Sequence, residues 1–363
     1  MTEIPDNEST PKIAFLSSLK DDVWHDQPGR NAFESWHFDA LSDDGREAIV
    51  ITFNDSYSFS SRYFRQERGR NSKSDGSGRR FPAVSFTYSV DGKIVLRAVN
   101  EFSDEKFSAN QNGIGVSIGQ SSFRVDVAEY GPGFLLRIDL LTPRKCRLTA
   151  EIEWLSIEAD LSDQPAGNGD VPATWNIVAP RSDVSGRITL AGRRAAARKT
   201  FHFRGTGYHD QFRSAFSLQD TVGSRCWGRA HFVDSTAIFH RHQMENTEVS
   251  SKLFIVREGS ILERDARSET QKLFRDRYGH KIPRRLSFVS DDNIRLRIKP
   301  VGVIESGFFN KSMVSEITLM LRDGKARKTM GITEFTNPSR MRNPLFRWLS
   351  DLRTGRNGRS PLF

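Results

Sequence analysis

The 363-residue chain is longer than one ordinary core needs and suits two domains of about 150 to 180 residues each. Hydrophobic residues make up 37% and aromatic ones 10%, with 26 Phe against 6 Trp and 6 Tyr, a balance that favours ring-packed β-cores over a helical bundle. A net charge of +9 permits contact with anionic lipid or nucleic acid, but the Lys and Arg residues are spread over both halves without an RNP, zinc-finger or basic-helix pattern, which argues against nucleic acid and for a solvated basic surface.

Residues 1–20, rich in Glu, Asp, Ser, Thr and Pro, are expected to form a flexible arm, and the acidic start and short apolar run Ile13–Leu16 do not make a secretory signal. No apolar window is long enough to cross a bilayer, so the chain is expected in the cytoplasm, with any membrane contact peripheral. Trp36–Ala40 and Glu47–Phe53 flank the turn Ser42-Asp43-Asp44-Gly45 as a β-hairpin. Beyond a basic Gly/Ser tract at Arg68–Arg79, expected to be a mobile loop, come runs at Ala83–Tyr88, Ile94–Val99, Gly115–Ile118, Ser122–Glu129 and Phe134–Leu141. They are separated by Asp91-Gly92, Asn112-Gly113 and Gly131-Pro132-Gly133. Short alternating strands at even spacing are the pattern of an antiparallel barrel or sandwich. An Asp/Gly/Pro-rich segment at Ser162–Pro172 precedes strands at Trp175–Ala179 and Ser185–Leu190, and the Arg/Ala stretch Gly192–Lys199 is taken as the domain junction.

The second half repeats the pattern from Ala230–Val233 and Thr236–His242 to Lys328–Phe335, so the chain is read as all-β, with two tandem barrels at 21–195 and 196–350 and a flexible basic tail at 351–363. Cys146 and Cys226 have no CxxC or CxxxC partner and are read as buried thiols. His240 and His242 share a strand face with His231 across the hairpin, but no matched carboxylate accompanies them, so no metal and no other cofactor is expected.

Titratable, aromatic and glycine residues crowd most closely in Phe201–His231, where a glycine turn is expected to carry Tyr208, His209 and Asp210. Imidazole, carboxyl and phenol side by side are the materials of a proton-transfer site, since burial and neighbours can tune each toward neutrality. The competing reading makes Tyr208 a plug and His209 and Asp210 mere satisfiers of turn backbone.

Trp36-His37-Phe38-Asp39, Gly205-Thr206-Gly207-Tyr208-His209-Asp210, Trp227-Gly228-Arg229 and Gly331-Ile332-Thr333-Glu334-Phe335 together resemble the carotenoid 1,2-hydratase (hydroxyneurosporene synthase) superfamily, whose relatives include lipocalin-like Diels-Alderases and tocopherol-cyclase-type proteins. The resemblance implies two lipocalin-like barrels and a ligand cavity. After His209-Asp210 the sequence departs from the hydratase pattern, with Gln211-Phe212-Arg213-Ser214 where His-Asn-Trp-Gly is typical, so the fold transfers better than the reaction.

Protonating an alkene requires an acid kept protonated in a dry pocket and aromatic faces beside the developing cation. The expected acids are Asp210 and Asp39, with His209 holding or exchanging the proton and Tyr208 beside them. The expected substrate wall is Trp36, Phe38, Gln211, Phe212 and Trp227, with Arg229 either depressing an acid's pKa or anchoring a polar end. Hydration or cyclisation of a hydrophobic polyene or isoprenoid without a cofactor is the leading expectation. A pericyclase that only folds a polyene, and a non-catalytic lipid carrier, are the alternatives.

Overall fold

The structure, a computed structural model, describes residues 13–27, 29–68, 79–128, 131–161, 173–192, 198–243, 247–359 and 361. The Gly/Ser tract expected to be a loop, the Ser162–Pro172 segment and the start of the N-terminal arm lie largely outside these residues.

Strands β1 (Ile13–Leu16), β2 (Phe33–Ser42), β3 (Glu47–Asn54), β4 (Ala83–Val90), β5 (Lys93–Glu101), β6 (Phe107–Asn110), β7 (Gly113–Ile118), β8 (Ser121–Ala128), β9 (Gly131–Leu141), β10 (Arg147–Glu158), β11 (Ala173–Ala191) and β12 (Arg198–Ser214) make one sheet. Its order is β5-β4-β3-β2-β12-β11-β10-β9-β8-β7-β6, curled but not closed. Strands β13 (Ser224–His231), β14 (Thr236–Gln243), β15 (Ser250–Arg257), β16 (Ser260–Arg275), β17 (Lys281–Ser290), β18 (Arg295–Ser306), β19 (Asn310–Met320) and β20 (Ala326–Thr336) close into an antiparallel barrel, sealed by pairing of β13 with β20. The last strand, β21 (Gly355–Arg356), returns to the first sheet.

The second expected barrel is therefore present and the first is an open half-barrel. A side chain holds the seam that a backbone ladder would otherwise close: Asn100 donates Nδ2 to the Leu141 carbonyl and accepts from the Leu141 amide, both at 2.9 Å, tying β5 to β9. The outer edge of β5 is taken by β21 from the tail expected to be flexible. At the other end of the chain, β1 of the expected arm lies parallel on β11, Ile13 opposite Ala173. The expected junction near residue 195 lies between β11 and β12, which pair with each other along their length, and the change of sheet comes between Ser214 and Ser224. Local alternation cannot locate that change, because β12 and β13 are both rich in rings and arginines.

Alternation explains most strands. In β10, Leu148, Ala150, Ile152 and Trp154 are buried between exposed or half-exposed neighbours, a clean period of two that the expected strand set omits. Most of β2, the C-terminal half of β12 and most of β13 and β14 are buried on both faces, since one side meets its own core and the other the opposing half. A shared apolar cluster including Trp175, Tyr208, Phe212, Trp227, Ile238 and Phe254 fills that interface.

Candidate active site

Residues Gly205–Asp210 are not a turn. They run through the middle of β12, between β11 and β2, and neither Gly205 nor Gly207 adopts a positive φ. Both glycines serve close approach instead: a Cβ on Gly205 would meet the Leu41 carbonyl and the Ser42 Cα, and one on Gly207 would come within 2.5 Å of the Trp154 indole nitrogen.

Strand geometry then divides the expected site. The register pairs Tyr208 with Asp39, His209 with Phe38, Asp210 with His37 and Gln211 with Trp36, and facing residues in an antiparallel pair share a face. Trp36, Phe38, His209 and Gln211 therefore point into the first half-barrel, whereas Asp39, Tyr208, Asp210 and Phe212 point toward the barrel. His209 stacks on Phe38 at 3.8 Å between ring centroids, Nδ1 donates to the His37 carbonyl at 2.9 Å, and Nε2 lies 3.0 Å from Asp22. Burial pushes the Asp22 carboxyl up despite the His209 imidazole. Gln211 donates to Glu34 at 2.6 Å and to the Val23 carbonyl at 2.8 Å. His209 and Gln211 thus clamp the segment around Asp22 against the sheet and do not border the cavity that holds Asp210.

That cavity lies between the two halves, encloses about 120 Å³ and is bordered by His37, Asp210, Phe212, Arg225, Trp227 and Glu334 among others. Asp210 is buried, and its Oδ2 has no hydrogen-bond partner among the described residues. Burial pushes its carboxyl up, and the charges of His37 and Arg225 offset this only in part. Tyr208 and Trp175 stand beside it, but their Oη and Nε1 do not reach full hydrogen-bond geometry. Burial and Asp210 raise the Tyr208 phenol well above its usual value, so it stays protonated.

Asp39 behaves oppositely. Burial pushes its carboxyl up, yet Arg229 and His37 outweigh burial and hold it below the usual range. Arg229 donates Nε to Asp39 Oδ1 at 2.7 Å, and His37 Nε2 lies 3.2 Å from Oδ2. Burial lowers the His37 pKa, but the bond to Asp39 and the charge of Asp210 carry it above its ordinary value. Asp39 is thus held toward its ionised form between His37 and Arg229, and Arg229 is its counter-ion.

Trp227 packs edge-on against His37 at 5.0 Å and lies 5.7 Å from both Trp175 and Tyr208. The Arg225 guanidinium sits 5.0 Å from Trp175 and Phe212 and 5.5 Å from Trp227, which shows that this aromatic nest accepts a cation. Across the cavity Glu334, opposite Trp227 in register, accepts from Ser312 at 3.1 Å and Thr336 at 2.9 Å.

His37, Trp175, Arg225 and Glu334 were not among the expected site residues. The signal for His37 is the period of two: if Asp39 faces a site on a strand, His37 does too and Trp36 and Phe38 do not. Nothing local marks Trp175 or Arg225. The three histidines do not converge, since His231 bonds Thr236 at 3.0 Å at one end of the hairpin while His240 packs on Phe15 and Trp175. Among the described residues no helix is long and apolar enough to cross a membrane.

A curled half-barrel beside a closed eight-stranded antiparallel barrel, with a buried acid and an aromatic nest between them, defines a mostly-β protein with a candidate site between its two sheets. The model of the carotenoid hydratase CrtC family matches residues 140–361. The chain belongs to that family. Over 359 residues it is 20% identical to a hydroxyneurosporene dehydrogenase of Chlorobaculum tepidum, covering 93% of this chain and 91% of the relative. Its fold resembles a structure assigned to AttH from Nitrosomonas europaea (TM-score 0.59, 15% identity, 90% of this chain and 98% of the other). It also resembles CghA solved with Sch210972 (TM-score 0.54, 14% identity, 89% and 97%).

Proposed function

We propose that the protein protonates a terminal double bond of a hydrophobic polyene or isoprenoid in the cavity between its halves, with Asp210 as the general acid. The observation that carries this reading is a buried carboxyl facing a cavity, biased toward its protonated form, with an unpartnered oxygen. Family membership supports a carotenoid-type substrate. The family is described as a hydratase family and the curated relative as a dehydrogenase, so the support for a particular reaction lies in the site.

In the proposed step the Asp210 proton adds to one alkene carbon, and the cation left on the other is stabilised by Trp227 and Trp175. Either water adds there and returns a proton to the Asp210 carboxylate, giving hydration, or a second double bond adds and a neighbouring carbon gives its proton to the Asp210 carboxylate, giving cyclisation. His37, whose pKa Asp39 helps to raise, faces Asp210 and can exchange its proton between turnovers. A volume of about 120 Å³ has room for about four water molecules, which fits a chain end and not a whole polyene.

The unpartnered Tyr208 hydroxyl and Trp175 indole N–H favour a second reading, in which donors fold and polarise a polyene without proton transfer. Turnover of acyclic carotenoids in deuterium oxide separates the two. One carbon-bound deuterium per product, lost in Asp210→Asn, supports protonation. Product without deuterium transfers the case to the pericyclase, and stoichiometric binding without turnover of any polyene leaves a carrier.

A further inference from the structure

A second cavity, of about 560 Å³, opens at the end of the barrel where β13 begins and β14 and β20 finish. Its size is that of a small-molecule site. Buried Leu286 and Phe335 and exposed Leu273 give it an apolar lining, while Arg225, Arg241, Lys281 and Arg340 border it, and no carboxylate does among the described residues. Arg241 donates to Ser268 Oγ at 3.2 Å and has no ion pair among the described residues. Arg225 Nε and Arg340 Nη1 are buried without a hydrogen-bond partner.

The opposite end of the same barrel shows what a neutralised mouth looks like. Its cavity, about 570 Å³, is also rich in arginine, but there Arg264 and Arg322 share Asp292 at 3.0 and 2.7 Å. Near the first mouth the carboxylates are engaged elsewhere: Asp276 pairs with Lys311 at 2.9 Å and Glu334 is held by Ser312 and Thr336. Buried guanidinium donors without acceptors are costly unless an anion completes them.

We infer that this end of the barrel binds an anionic amphiphile, its head on Arg241, Lys281 and Arg340 and its tail on Leu273, Leu286 and Phe335. A long-chain carboxylate and a prenyl diphosphate share that chemistry. The inference does not rest on the proton-transfer reading, because Arg241 and Lys281 do not border the Asp210 cavity.

The test is a fluorescence titration of the full chain with cis-parinaric acid and with its uncharged methyl ester. Binding of the acid at least ten-fold tighter than the ester is expected. Arg241→Gln and Lys281→Gln should each weaken the acid three- to ten-fold without changing the ester, and Arg241→Lys should recover most of the loss. Thermal unfolding confirms that each variant is folded, and exposed Lys281 serves if Arg241→Gln is not. Displacement by geranylgeranyl diphosphate at lower concentration than by palmitate assigns the head to a diphosphate, and the reverse order assigns it to a carboxylate. Equal affinity for acid and ester, or an unchanged dissociation constant in the folded Lys281→Gln and Arg241→Gln variants, overturns the inference.

Discussion

Asp210→Asn removes the transferable proton while keeping shape and a hydrogen-bonding oxygen, so on the proposed mechanism turnover should fall about a hundred- to ten-thousand-fold with polyene binding nearly intact. Steady-state kinetics beside a binding titration checks this, and an equal loss in both would assign Asp210 to binding. Its sequence neighbour should behave differently. His209→Ala strands the buried Asp22 carboxyl on the far side of the sheet and should lower unfolding free energy by about 3 kcal/mol while leaving kcat within a few-fold. Asp55 gives a pH test. Burial first, then the Glu34 charge, pushes its carboxyl from 3.8 up to about 7, so the folded chain keeps a proton that the unfolded chain releases. Its stabilising contribution is full below about pH 4 and is lost as pH rises to about 7. Relative to Asp55→Asn, the natural protein should lose up to about 4 kcal/mol across that window, at 1.36 kcal/mol per unit, as urea unfolding at pH 4 and pH 8 would show.

Strand β12 is the element whose sequence is most easily misread. Glycines flanking Thr206 look like a turn, and a glycine-rich turn bearing His and Asp looks like a loop site, but here the missing Cβ atoms let β12 lie against β2 and the Trp154 ring. Gly207→Val should therefore collide with Trp154 and Val184 and destabilise by about 1 to 3 kcal/mol. Chemical denaturation measures this, and a neutral substitution would mean that Trp154 has room to move. Because side chains alternate along the strand, a proton path from His209 to Asp210 would have to cross the sheet, whereas His37 and Asp210 already face each other.

The two halves are joined by apolar packing and by ion pairs, among them the fully buried pair of Arg229 of the barrel with Asp39 of the half-barrel and Arg97 of the half-barrel with Glu305 of the barrel at 3.1 Å. Arg229→Met should leave an unpaired buried carboxylate, cost about 3 to 5 kcal/mol, and lower the pKa of His37 by letting Asp39 take up a proton. Replacing both partners, as in Arg229→Met with Asp39→Leu, should restore much of the stability but not turnover, since His37 loses the anion that helps to raise its pKa. Calorimetry with activity assays distinguishes these outcomes; activity retained in the double variant would remove His37 and Asp39 from the proton path.

The strand-rich class and most strand positions were legible in the chain because a half-buried strand writes its burial as a period of two, as Phe134, Leu136, Ile138 and Leu140 do in β9. The family was legible in the motifs Trp36-His37-Phe38-Asp39, Gly205-Thr206-Gly207-Tyr208-His209-Asp210 and Trp227-Gly228-Arg229, and the family match over residues 140–361 agrees with that resemblance. Other features depended on which strands became neighbours. Only β5 meeting β9 through Asn100, and β21 on its edge, makes the first half an open sheet. Only the pairing of β12 with β2 puts His37 opposite Asp210 and turns His209 away, and only the docking of the barrel brings Arg229 to Asp39 and Arg225 over Trp175. These contacts join residues more than forty positions apart in the chain. Local periodicity carries which residues are buried, but not which of the two cores buries them.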